Sequence, residues 1–245
     1  LSLTELQGIV ERSLTQAPVE TTKMAIIFSL PPEAISPYVA QIIREHQPSE
    51  EEREASLSAS VQRMEEAFNQ VITGQPPTWA RIVITSTEEM TPLYRAYIDH
   101  LEGVLYPKGL PIDILDGRHL EVDFRCGNGG ATGAVLKYLM THYGTHIFDE
   151  PILILQAGGL GTRFPESLAE GTKALTRIPR LLPNGEASTN LAEAIRNTYI
   201  LAPKIRELGG GIYITNCDGF LVYDPESITL NPAGINVFTA PIGID

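Results

Sequence analysis

Cysteine, basic charge and long apolar runs are all scarce in this sequence, and each scarcity removes a class of protein. Two cysteines, Cys126 and Cys217, are too few for a disulfide framework. With no signal-peptide pattern at its start, the chain is expected in a reducing, cytoplasmic setting. Eighteen Lys and Arg side chains stand against thirty Asp and Glu, a formal charge of −12. That balance repels a nucleic-acid backbone, and no basic stripe counters it. No apolar run approaches the ~20 residues that a membrane helix needs. Nucleic acid and membrane are therefore not expected partners. Small anions such as nucleotides remain open, because they respond to the few groups lining a pocket and not to the whole surface.

What is there is the material of a globular α/β protein. A hydrophobic fraction of 43% over 245 residues supplies a sizeable core. The sequence starts at Leu1 without a methionine and stops at Asp245 just after a strand-like stretch, so a fragment is expected, incomplete at its C-terminus.

Ser2 with Glu5, and Ser49 with Glu52, have the spacing of a capping box. The second pair opens an amphipathic run through Leu57, Val61, Met64, Phe68 and Val71, one apolar face of a helix. The acidic stretch Glu50 to Glu54 suits the start of that helix, where carboxylates complement the dipole. Gly74, Pro76 and Pro77 end it, and Pro31, Pro32, Pro37 and Pro48 divide the preceding stretch into short pieces. Residues 1–77 are accordingly expected to form a helical N-terminal appendage.

From residue 78 the pattern changes. Arg81 to Thr85, Ile152 to Leu155 and Ile212 to Thr215 read as short apolar strands buried on both faces. Leu93 to Leu105, Ala134 to His142 and Leu191 to Leu208 read as helices, the last opened by Asn190 with Glu193 and stopped by Gly209 to Gly211. Strands alternating with helices imply parallel crossovers. The expected fold of residues 78–245 is a three-layer, Rossmann-like α/β domain with a mostly parallel sheet.

The strongest local signal is Ile152-Leu-Ile-Leu-Gln-Ala-Gly158-Gly159-Leu160-Gly161-Thr162-Arg163, a buried strand running into three glycines and then a cation. Glycines let backbone amides approach phosphate oxygens unobstructed, and an arginine fork neutralises charge on them. Lys173 follows ten residues later. Between Gly158 and Arg180 four basic residues stand against two acidic ones, a local reversal of the overall sign that favours anions. A second glycine-rich turn, Gly127-Asn128-Gly129-Gly130-Ala131-Thr132, precedes a helix, and Asp218 follows the last strand, where ligands gather in open α/β sheets. Asp218-Gly219 is also a turn dipeptide, as is Asp224 beside Pro225. Gln156 and Asn128 suit either the edge of a base or the loop backbone. His100, His119, His142 and His146 have no metal-ligand spacing with cysteine.

The glycine loop ending in Gly-Thr-Arg with a lysine beyond it resembles the signature of sugar nucleotidyltransferases. The order of the motifs, with Gly-Asn-Gly-Gly upstream, is similar to the fucose-1-phosphate guanylyltransferase (GDP-fucose pyrophosphorylase) family and the related domain of bifunctional fucokinases. The resemblance runs from about Trp79 to Asp245. It implies that Gly127, Asn128, Gly129, Gly130, Thr132, Gly158, Gly159, Gly161 and Thr162 hold a nucleotide, that Arg163 and Lys173 are catalytic, and that Asp218 holds Mg2+. It implies transfer of a nucleotide from GTP to fucose-1-phosphate with release of pyrophosphate. Leu160-Gly161-Thr162 is closer to the general sugar nucleotidyltransferase pattern, which leaves base and sugar open, a UTP-dependent enzyme included.

Two other classes fit parts of the pattern. Val122 to Gly130 before a helix is also the glycine turn of S-adenosylmethionine methyltransferases or of a partial dinucleotide fingerprint. Both need an acid at the end of the next strand, where Gln156 stands, and the third fingerprint glycine is Thr132. A module that binds nucleotide without turning it over is the third class.

Overall fold

The computed structural model describes residues 49–74, 78–121, 127–157, 172–217 and 228–231, with the single positions 222 and 236. The chain divides into two compact units, one of Leu1–Ala55 with Ala233–Asp245 and the other of Ser56–Pro232. In the first, Ser49 and Glu52 make a capping box: the Ser49 N–H donates to Glu52 Oε2 at 2.8 Å, and the Glu52 N–H donates to Ser49 Oγ at 3.2 Å. They open helix α1 (Glu50–Ile72), whose later part lies within the second unit. The division therefore falls inside α1, whereas the sequence pattern changes at residue 77. Met64, Phe68 and Val71, spaced four and three apart, join the core of the second unit, while Leu57 and Val61 on the expected apolar face stay exposed.

The second unit is a mixed α/β fold around a parallel sheet. Its strands β1 (Arg81–Thr85), β2 (Ile112–Leu115), β3 (Pro151–Gln156) and β6 (Gly211–Asn216) lie in the order β2-β1-β3-β6, and every neighbouring pair is parallel. β4 (Arg177–Leu181) and β5 (Ala187–Thr189) form a separate antiparallel hairpin. Helices α2 (Thr91–His100), α3 (Gly117–Leu120), α4 (Gly127–Tyr143), α5 (Asn190–Thr198) and α6 (Ala202–Glu207) complete the described regular structure, with 3₁₀ turns at Thr145–Asp149, Lys173–Leu175 and Tyr199–Leu201.

Alternate residues of each strand enter two different cores, as the period of two requires. Ile82, Ile84, Ile114, Leu153 and Leu155 pack with α1, α2, α5 and α6, whereas Val83, Leu115, Ile152 and Ile154 pack with Leu120 of α3 and Ala134, Val135 and Leu139 of α4. Helices thus cover both faces of the sheet.

The expected helix from Leu191 to Leu208 is interrupted. α5 ends at Thr198 and a 3₁₀ turn intervenes before α6, which has Pro203 in its first turn. Proline has no N–H for the helix ladder and its ring crowds the carbonyl of Tyr199, four residues back. The expected helix start at Asn190 also shifts: Thr189 is the cap, accepting from the Ala192 N–H at 3.2 Å. Glu193 lies buried in the core rather than closing a capping box at Asn190. The stop is as expected. Gly210 takes φ +103°, and a Cβ there would stand 2.1 Å from the Asp149 backbone carbon. Only glycine fits that approach.

Among the described residues the core of the second unit includes a charged cluster at α1, β4 and α5. Glu65 of α1 pairs with Arg180 of β4 and Arg196 of α5, and Arg180 also donates to Glu193 at 2.8 Å. Ser188 Oγ donates to the other Glu193 oxygen at 2.7 Å, and the Arg196 guanidinium lies over the Phe68 ring. Among the described residues no helix is long and apolar enough to cross a membrane.

Candidate functional site

Parallel register gives the sheet a level carboxyl edge. Thr85 faces both Leu115 and Gln156, and Gln156 faces Asn216. The winding changes direction here: the chain passes from β1 to β2 on one side, then continues through β3 and β6 on the other. Such a switch leaves a crevice above the strand ends, the usual ligand position in open α/β sheets.

Gln156 ends β3 at this edge, and its Nε2 donates to Thr132 Oγ1 at 2.6 Å. This bond joins the strand that leads into the first glycine-rich motif to the helix that begins with the second. The second motif is helical already: α4 starts at Gly127, so Gly127, Asn128, Gly129, Gly130 and Thr132 occupy its first turns, ahead of the start expected near Ala134. Gly129 and Gly130 are exposed. A first turn has backbone N–H groups with no helical partner, so glycine costs less there than in a helix interior and leaves those donors accessible.

Lys173 sits on a braced turn. Thr172 caps it, its Oγ1 accepting from the Ala174 N–H at 3.3 Å. Asn190 Nδ2 donates to the Lys173 carbonyl at 2.8 Å, and the Asn190 N–H donates to the Thr176 carbonyl. Asn190, expected as a helix cap, instead holds the segment that carries the lysine.

The buried hydroxyl of Tyr94 in α2 lies 3.1 Å from the Ala157 carbonyl and 2.6 Å from Thr172 Oγ1. Burial pushes this phenol up to about 12, against a smaller opposing effect of the Thr172 hydrogen bond. It remains a neutral donor at ordinary pH. The Cys217 N–H donates to the Gln156 carbonyl at 3.4 Å, and Cys217 itself is buried.

At the end of β2, Asp116 is fully buried and caps α3. Its carboxylate accepts from the N–H groups of Arg118 and His119, from Arg118 Nη2 at 2.8 Å and from Thr91 Oγ1 at 3.2 Å, and lies 2.7 Å from His119 Nδ1. Burial alone would raise its pKa, but the hydrogen bonds from Arg118 and His119 outweigh it and hold the carboxyl well below the usual range. Neither Tyr94 nor Asp116 stood out in the sequence, since one reads as an apolar helix position and the other as a turn.

A groove of about 630 Å3 lies between α2 and the β4–β5 hairpin, lined by Tyr97, His100, Leu175, Arg177, Glu186 and Thr189 among others. His100 pairs with Glu186 at 3.0 Å, and His142 stacks on Tyr138. Among the described residues no group of three or more His, Cys, Asp or Glu side chains is arranged to hold a metal ion. Gly158, Gly159, Gly161, Thr162, Arg163 and Asp218 lie outside the described residues, as do Cys126 and Asp224.

No known family profile matches the chain, and no solved structure matches it. Over 197 residues it is 26% identical to the fucose-1-phosphate guanylyltransferase of Mus musculus, a match covering 76% of this chain. The chain spans 31% of that protein's length, and the likeness is a partial one to a sugar nucleotidyltransferase, reaching no further than the superfamily.

Proposed function

We propose that this chain carries the nucleotide-binding and phosphate-handling part of a sugar-1-phosphate nucleotidyltransferase, acting on GTP and fucose-1-phosphate. The observation that carries the reading is the 2.6 Å bond from Gln156 to Thr132, which ties the last residue of β3 to the first turns of α4 at the carboxyl edge. Those first turns offer backbone N–H groups to phosphate oxygens at a switch point of a parallel sheet, and the Gly158 to Arg163 motif follows β3 directly in sequence. The similarity to a fucose-1-phosphate guanylyltransferase supports the choice of base and sugar.

In this reading the sugar-phosphate oxygen attacks the α-phosphorus in line and pyrophosphate departs. Two polyanions must meet, so catalysis is positioning and charge neutralisation. The first turns of α4, with Gly127, Asn128, Gly129, Gly130 and Thr132, bind the nucleotide together with Gly158, Gly159, Gly161 and Thr162. Arg163 stabilises the leaving pyrophosphate, and Lys173 sits on the phosphates near the reacting centre. Asp218 follows Cys217 at the end of β6, and its hard carboxylate oxygens have the chemistry that magnesium requires. Magnesium held there supplies charge neutralisation to the phosphates. The attacking phosphate is already ionised, so no general base is needed.

The test is pyrophosphate release from the chain, and from the longer protein if it proves to be part of one. Each of four nucleoside triphosphates is paired with fucose-, glucose-, mannose- and N-acetylglucosamine-1-phosphate. GTP with fucose-1-phosphate is expected to give the highest kcat/KM, because a site built to hydrogen-bond one base leaves polar groups unpaired with another. A preference for UTP keeps the reaction class and discards fucose. Tight nucleotide binding without turnover of any pair supports a sensing module, and consumption of S-adenosylmethionine instead supports a methyltransferase.

A further inference from the structure

We propose that Tyr94 is a positioning residue for phosphate binding, its hydroxyl fixing the two chain ends between which the glycine-rich segment 158–171 runs. The proposal rests on the nucleotidyltransferase reading for its purpose, and on geometry for its substance. Ala157 is the residue before that segment and Thr172 the residue after it, and both touch one phenolic oxygen. Keeping both contacts as hydrogen bonds fixes the direction of each. The Tyr94 hydroxyl has a single proton, which the Ala157 carbonyl must receive, since a carbonyl cannot donate. The 2.6 Å contact is then the Thr172 hydroxyl donating to Tyr94 Oη, while Thr172 Oγ1 accepts from the Ala174 N–H. In this arrangement every hydroxyl in the chain Thr172–Tyr94–Ala157 donates once and accepts once.

The site is dry and well anchored. Tyr94 is 1% exposed and Thr172 4% exposed, so water does not replace a lost partner. The tyrosine ring packs in the main core from the second turn of α2. The hydroxyl thus transmits the position of a rigid helix to the start of the turn bearing Lys173 and to the end of β3. Holding both ends in advance removes the cost of bringing them together when a polyanion binds. A phenylalanine would fill the same core volume without that tie, so the hydroxyl is the part with no packing role.

Tyr94→Phe separates the two contributions. Amide exchange at Ala174 and Leu175, whose N–H groups bond to Thr172, is expected to rise about tenfold on loss of one buried hydrogen bond, with β1 and β3 unchanged. The dissociation constant for magnesium–GTP is expected to rise by a similar factor, about tenfold. Thr172→Val removes the Ala174 cap together with the tie, so it is read by weakened binding of magnesium–GTP, to which Tyr94→Phe in the same chain should add little, and Thr172→Ser, which keeps the hydroxyl, should restore binding. If Tyr94→Phe fails to fold, Tyr94→Met, which also lacks the hydroxyl and fills much of the same volume, takes its place. Unchanged exchange at Ala174 and Leu175 in Tyr94→Phe overturns the proposal, as does a uniform rise across the sheet. If the unaltered protein binds no nucleoside triphosphate, the functional reading fails while the exchange measurement still decides for or against Tyr94 as the tie.

Discussion

Two polar regions of the larger unit are built from different chemistry. In the core, Glu65, Arg180, Glu193 and Arg196 join three elements through charge, with Glu193 almost fully buried. At the carboxyl edge, Gln156, Thr132, Tyr94 and Thr172 join chain segments through neutral hydrogen bonds. A buried ion pair is costly to break and fixes a framework. Neutral donors position a chain without adding a fixed field to compete with a charged ligand, which in the proposed function leaves Lys173 and Arg163 to meet the phosphates. The framework cluster should therefore answer to stability measurements and the edge to binding and turnover.

The largest effect that sharpens this contrast is expected from Lys173→Ala. Loss of one charge-stabilising donor should lower kcat about 10²- to 10³-fold with little change in Tm, measured by pyrophosphate release beside thermal unfolding. Near wild-type turnover would remove Lys173 from the site.

Glu193→Gln should do the reverse. Arg180 and Arg196 then share only Glu65, and burial already pushes both guanidinium groups below their ordinary pKa. A loss of about 3 kcal/mol in denaturant unfolding is expected, with the nucleotide dissociation constant unchanged. A weakened dissociation constant at equal occupancy of the folded state would break the contrast.

Asp116 lies at the edge by position but belongs to the framework by chemistry, since its carboxylate is occupied by its own turn and by Thr91. Its pKa is lowered in the folded protein, so its stabilisation is full above the unfolded value of about 4 and is lost as pH falls below that. Asp116→Asn should therefore lower Tm at pH 7 and converge with wild type in strong acid, a difference visible in a pH series of thermal melts. The smallest effect is expected from Thr189→Ala, which removes the cap of α5 and its bond to Tyr97 and should cost about 1 kcal/mol in the same unfolding assay.

How much of this was legible in the sequence depends on how local each signal is. The Ser49–Glu52 box, the three apolar strands and the glycine stop at Gly209 to Gly211 are set by neighbours a few residues apart, and the sequence shows them, although β6, last in the sheet order, leaves Ile214 exposed where burial on both faces is expected. β2 has four residues interrupted by Asp113, whose carboxylate pairs with Arg81 at 2.5 Å across the sheet, so its polarity hides a strand. β4 alternates between exposed and half-buried and contains Pro179, tolerated because it lies in a two-stranded hairpin. The capping of α5 misled for a related reason. Asn190 has the right side chain, but tertiary contact with the Lys173 carbonyl claims it and Thr189 takes the cap. For the candidate site, the sequence offers Lys173 and the glycine motifs as candidates through their chemistry and order. Tyr94 is not among them, because nothing near it in sequence reveals that its hydroxyl reaches Ala157 and Thr172, about 60 to 80 residues away.

The central claim is that phosphate groups are received at the carboxyl edge, between the first turns of α4 and the turn of Lys173. Amide exchange with and without saturating magnesium–GTP tests it directly, reading binding site and framework in one experiment. Slowed exchange at Gly127–Thr132 and Lys173–Thr176, with none at Arg180, Glu193 or Arg196, is the predicted footprint. Protection confined to the groove between α2 and the β4–β5 hairpin, or no protection at either motif under conditions where GTP is bound, would contradict the account.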